Sequence, residues 1–187
     1  MNQFKKYIKS NKLVLILSVF LLFSISFGQK DYYQEEVFKV KKILKKIKQN
    51  ENEKFKKKAA LTEKEVNSYL DYRLKEERTK VLEEIKLKFL KDNLIEGKAV
   101  INLKEGENNF LKIYFNGFVI VKEKRAKFDL KKLFIEDQPV PGPVLEFIIA
   151  YLSRKEGYEP LSIFSWYDLP YGIENIKTQP GKLIIYY

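Results

Sequence analysis

Apolar residues recur along this chain with more than one period, and each period predicts a different kind of element. In DYYQEEVFKVKKILKKIKQN, residues 31 to 50, Tyr33, Val37, Val40, Leu44 and Ile47 are spaced 4, 3, 4 and 3 apart. That is one stripe of an amphipathic helix. Lysines fill its other faces. Asp31, Glu35 and Glu36 stand near the start and the lysines toward the end, the polarity that a helix dipole favours. A second helix is predicted from Glu63 to about Glu76. Thr62 and Glu65 have capping-box spacing, in which each side chain satisfies the other's backbone N–H, and Leu61 and Val66 are placed to close a hydrophobic staple. Val66, Tyr69, Leu70 and Leu74 supply the apolar face.

Beyond that helix the period drops to two, which predicts strands. Ile85, Leu87 and Phe89 alternate with Lys86 and Lys88, Asp92-Asn93 reads as a turn, and Ile95, Gly97, Ala99, Ile101 and Leu103 form the next face. FLKIYFNGFVIV, residues 110 to 121, is apolar on both faces for much of its length; Asn116-Gly117 is either a turn or a bulge within one long strand. Ala126, Phe128 and Leu130 alternate with Lys127, Asp129 and Lys131. The connections are too short for parallel crossovers, so the strands form an antiparallel meander.

PVPGPVLEFIIAYLSRKEG, residues 139 to 157, predicts a third helix, with Pro143 in its first turn and Gly157 at its stop. Val144, Leu145, Phe147, Ile148, Ile149, Tyr151 and Leu152 are apolar almost all round, the pattern of a helix buried in the concavity of a curved sheet. A final pair of strands follows, joined by Gln179-Pro180-Gly181. The fold class is therefore α+β: an N-terminal helix or helices, a curved antiparallel meander wrapped on a buried apolar helix, and a C-terminal strand pair.

LTEKEVNSYL, the meander, PVPGPVLEFIIAYL and LPYGIENIKTQPGKLIIYY together resemble small exported bacterial proteins related to the tubular lipid-binding (TULIP-like) superfamily, over about residues 60 to 187. The resemblance implies a bent sheet around a helix with an apolar groove for acyl chains, and it carries no catalytic residues. Phe89, Phe115, Phe118, Tyr151 and Trp166 are the residues expected to line such a groove.

The N-terminus adds a compartment. Lys5, Lys6, Lys9 and Lys12 precede the fifteen-residue apolar run from Leu13 to Phe27, and Ser26 and Gly28 place small residues for cleavage before Gln29. Residues 1–28 are thus a signal peptide or an uncleaved N-terminal anchor. Residues 29–58 are the lysine-rich helix and a linker, and 59–187 a single domain. Either way the protein is expected outside the cytoplasm, periplasmic or secreted.

Charge then separates the two parts. Residues 39 to 58 hold ten lysines against Glu51 and Glu53, a net +8, whereas residues 59 to 187 hold 21 basic and 20 acidic residues, a net +1. Lys41, Lys42, Lys45, Lys46 and Lys48 are the expected contacts to an anionic membrane surface. Nucleic acid is not expected as a partner, since export separates the chain from it and no aromatic-basic reading motif occurs.

Composition argues against catalysis. The chain has no His and no Cys, which removes the commonest general base, the thiol nucleophile and the usual zinc ligands; no metal or cofactor is expected. Ser68, Ser153, Ser162 and Ser165 lie in no nucleophile motif. Glu83-Glu84 and Glu136-Asp137 are sequence neighbours and read as surface charges; Asp168, beside Trp166 and Tyr167, reads as a loop residue capping a turn. Three functions follow, in order of preference: a noncatalytic envelope protein binding a lipid or other apolar ligand between sheet and third helix, a structural or interaction module at the membrane surface without a pocket, and last an acid-dependent hydrolase.

Overall fold

Thr62 and Glu65 set the first landmark in a computed structural model, which describes residues 35–50, 56–77, 82–103, 110–155 and 162–187. The Thr62 backbone N–H donates to Glu65 Oε2 at 2.7 Å and the Glu65 N–H to Thr62 Oγ1 at 3.2 Å, so the capping box is formed. Leu61 and Val66 are both buried beside it. Helix α2 runs Glu63–Glu77 from this cap. Helix α1, Glu35–Gln49, lies against it and buries Val37, Val40, Leu44 and Ile47; Tyr33, the first member of that stripe, lies outside the described residues, as do residues 1–28. Ion pairs Lys39–Glu65 and Lys64–Glu36 tie the two helices together.

The meander consists of β2 Leu82–Phe89, β3 Leu94–Asn102, β4 Phe110–Lys122 and β5 Arg125–Ile135, all antiparallel neighbours. Asp92 and Asn93 turn between β2 and β3 with φ of 59° and 64°. The register places Ile85, Leu87 and Phe89 beside Ala99, Gly97 and Ile95, and these beside Ile113, Phe115 and Gly117. This is the core face. Gly97 is there because the Phe115 ring lies where its Cβ would stand.

β4 continues as one strand through Asn116-Gly117, and the register shifts at that point: Asn116 faces Lys132, Gly117 faces Leu130, and Lys131 is the extra residue. The bulge is therefore in β5. It reconciles a sequence in which Ala126, Phe128 and Leu130 are followed by Leu133 and Ile135: the extra residue keeps all five opposite core-face positions of β4. Two short additions, β6 Gln138–Pro139 and β7 Tyr167–Asp168, pair with opposite ends of β5.

A second sheet was only half expected. β8 Asn175–Gln179 and β9 Lys182–Tyr186 form the terminal hairpin, and β9 also pairs with β1, Lys58–Thr62, a strand that KAALT does not announce. Leu61, Leu183, Ile185, Ile176 and Thr178 are buried on its inner side, and β8 packs against β4. The hairpin tip is wedged between α2 and β2: Glu63 N–H donates to Gly181 O at 2.8 Å, and Gly181 N–H to Phe89 O at 2.9 Å. Gly181 holds φ at 70°, a conformation that favours glycine.

The outer edge of β2 is occupied by side chains of α2. Asn67 pairs with both backbone groups of Leu87 at 2.8 Å, and Glu63 accepts from the Phe89 N–H at 2.9 Å.

Helix α3, Gly142–Lys155, corrects one expectation. Among the described side chains Leu145, Ile149 and Ser153 are buried, an i, i+4, i+8 row set against β5, and half-buried Ile148 packs beside them. Phe147 and Tyr151 are exposed. β8 and α2 cover much of the sheet, so α3 is a lateral helix and not one enclosed all round.

Candidate membrane-surface site

A lysine-rich face is fixed in place only if the opposite face is anchored. α1 meets that condition, because its four apolar seam residues are buried against the domain. The remaining side chains then have assigned directions. Lys42, Lys45, Lys46 and Lys48 are exposed. Lys41 departs from the expected surface set: it is half-buried, its Nζ lies 4.0 Å from the Tyr72 ring centroid, and burial holds its pKa below the usual lysine value against the raising influence of Glu76. Lys48, though exposed, keeps its Nζ 5.5 Å from the Tyr171 ring.

Lys39 has a different task. Burial pushes the Glu65 carboxyl up, but hydrogen bonds from Lys39 and from the Thr62 backbone outweigh it, and the carboxyl titrates below the ordinary carboxylate range. One carboxylate thus closes the α2 cap and anchors α1.

The face also contains a residue that sequence spacing passed over. Phe38 is 66% exposed, one turn before Lys42 on the outer side of α1. The available signal was an aromatic residue standing off the 4-3-4 stripe.

The five aromatic residues expected to line a groove are not gathered into one. Phe89 and Phe115 are 1% and 4% exposed, core side chains with no surface to offer, and Phe115 packs edge-on against Phe128 with centroids 5.8 Å apart. Alternation along β4 turns Phe118, opposite Leu94 and Asp129, to the other side of the sheet. Tyr151 and Trp166 are exposed. An open concavity of about 650 Å³ lies elsewhere, beside the 3-10 turn and the outer side of β8 and β9, lined by Lys91, Lys177 and Lys182 among others. Its lysines suit it poorly to acyl chains.

The acidic pairs have structural surroundings. Glu84 pairs with Lys98 at 2.9 Å across β2 and β3, and Glu136 accepts from the Lys112 N–H at 2.6 Å in the β5–β6 turn. Asp168 lies in β7 opposite Arg125, a strand position and not a turn cap. Among the described residues no three His, Cys, Asp or Glu side chains cluster as metal ligands, and no helix is long and apolar enough to cross a membrane. No protein-family model matches the chain, and comparisons with curated proteins and with solved structures found no match.

Proposed function

We propose that this protein is a noncatalytic membrane-surface module of the cell envelope, which meets anionic lipid headgroups through α1. The observation that carries this reading is the burial of Val37, Val40, Leu44 and Ile47, which leaves Lys42, Lys45, Lys46 and Lys48 on a rigid outward face. A lysine near an anionic leaflet contributes about 1 kcal/mol, so the face as a whole suffices for reversible attachment. Phe38 adds an apolar contact at headgroup depth. The apolar run from Leu13 to Phe27, ahead of these lysines in sequence, agrees with a membrane setting. This reading is preferred to an apolar ligand groove because two of the five groove residues are sealed in the core.

The test is sedimentation of the full chain with phosphatidylglycerol and with phosphatidylcholine vesicles, at low and high salt, beside K42Q/K45Q/K46Q. Three lost charges should weaken binding to the anionic vesicles by roughly a hundredfold, with a salt dependence to match. Equal binding by wild type and variant would overturn it.

A further inference from the structure

Opposite charges are paired across the meander but not on the outer side of the small sheet. In the meander Lys98 meets Glu84 and Lys88 meets Glu96 on neighbouring strands, and Lys86 meets Asp71 of α2. On the outer side of β8 and β9, alternation and register place Lys177, Lys182, Ile184 and Tyr186 together, with Ile184 opposite Lys177. Lys177 and Lys182 are diagonal neighbours there, with backbones roughly 7 to 8 Å apart. Both are exposed, and among the described residues neither has an acidic partner. The same holds for Lys91, which the 3-10 turn adds beside them.

The three cations come from elements that are locked to one another. The Thr178 N–H donates to Asn93 Oδ1 at 2.9 Å and its hydroxyl to Leu90 O at 2.6 Å, so β8 is bound to the turn on one side and to β9 on the other. The concavity of about 650 Å³ therefore has a fixed frame, and its size is that of a small-ligand site. Asp92 is the one acid among its lining residues. The apolar part of the lining is Ile184 and Tyr186, both half-buried, with the Tyr186 ring 5.9 Å from Lys177 Nζ. Opposite Ile184 on the other side, β1 contributes only the methyl group of Ala60.

This lining selects by charge and by shape. Cations gathered without neutralising acids raise the local positive potential, and a concave surface focuses it on an anion. Lysine meets phosphate as a point charge, whereas a flat carboxylate is met best by the arginine fork, and none of the lining residues is arginine. Cations supplied by separate elements suit an anion with more than one charge, and the ring and aliphatic side chain between them suit a carbon skeleton. We propose that this face of the small sheet binds an organic phosphate, whose phosphate groups are held by Lys91, Lys177 and Lys182 and whose carbon skeleton lies over Ile184 and Tyr186. No residue of α1 lines the concavity, so the site does not depend on α1 meeting a membrane.

The probe is fructose 1,6-bisphosphate, titrated into the isotope-labelled full chain while backbone amide shifts are followed, with fructose as the uncharged control. Saturable shifts are expected at Asp92, Thr178 and Lys182, and none with fructose. K177Q/K182Q, shown by circular dichroism to be folded, should raise Kd roughly tenfold or more. Asp92→Asn removes the opposing charge and should lower Kd about twofold. K42Q/K45Q/K46Q should leave it unchanged. Monomeric dihexanoylphosphatidylglycerol separates two sources of phosphate: shifts with the bisphosphate support a free phosphate ester, and shifts with the short-chain lipid alone support a lipid headgroup in the same site. Shifts with neither would overturn the proposal, as would a loss in K42Q/K45Q/K46Q with K177Q/K182Q unaffected. A single-stranded oligonucleotide that bound this face far more tightly than either would make it a nucleic-acid surface and overturn the proposal too.

Discussion

α1 and α3 are opposites in the relation between sequence and surface. α1 carries six lysines in fifteen residues, yet its four aliphatic residues at 3-4-3 spacing are enclosed; α3 is mostly apolar, yet its largest side chains face out. Number of apolar residues does not decide burial. Spacing decides which of them a neighbour can cover, and a single neighbour covers one stripe. α1 presents one narrow stripe and has α2 to receive it. α3 presents apolar side chains all round, and among the described ones the row buried toward β5 is Leu145, Ile149 and Ser153.

The sharpest test of this contrast is truncation within each helix. Leu44→Ala should destabilise the fold by about 2 to 5 kcal/mol, the cost of a cavity at a site that cannot collapse. Its measurement is the urea midpoint with the slope unchanged. A loss below 1 kcal/mol would mean that α1 is only loosely docked. A smaller effect, of about 1 kcal/mol, is expected for Thr62→Ala, which removes the cap that starts α2. An unchanged denaturation midpoint would show that the helix does not depend on it.

Acid should then weaken the link between α1 and α2. The Glu65 carboxyl titrates lower in the folded protein than an ordinary carboxylate, so the unfolded chain takes up the proton first as pH falls. Its contribution is complete above the ordinary carboxylate range and is lost as pH falls through its folded-state value. Urea midpoints of wild type and Glu65→Gln should converge over that window, and a constant gap down to the acid limit would exclude Glu65 as the titrating group. Smallest of all is the expected effect of Phe147→Ser on stability, within about 0.5 kcal/mol, since an exposed ring supports little of the fold. A thermal midpoint lowered as far as that of Leu44→Ala would erase the distinction between the two helices.

Elements with a local cause were readable from the sequence. The box at Thr62 and Glu65, the stripe from Val37 to Ile47, the meander and the terminal hairpin all rest on spacings within a few residues. What was hidden depended on distant partners. β1 exists because β9 accepts it, and nothing in KAALT announces that. Asn116-Gly117 was open to a turn or a bulge; the strand runs through it and the extra residue lies opposite, at Lys131, because the step from Leu130 to Leu133 changes the parity of β5 and only pairing with β4 shows which strand absorbs the difference. Phe89 and Phe115 were assigned to a groove because aromatic composition cannot separate a lining from a core; register puts Gly97 between Leu87 and Phe115, and the Phe115 ring fills the space over it. Among the lysines, Lys41 turned inward because Tyr72 on α2 offered its ring, a contact invisible along α1 alone.

The arrangement of Asn67, Glu63 and Gly181 around β2 bears on crowding. Molecules collected on a membrane meet one another far more often than in solution, and an open strand edge under those conditions recruits further strands into fibres. Here Leu87 and Phe89 present backbone groups already matched by a side-chain amide, a carboxylate and a hairpin tip. At the opposite border β6 and β7 occupy the two ends of β5. Both margins of the large sheet are thereby partly covered, which leaves less open edge for a further strand to join.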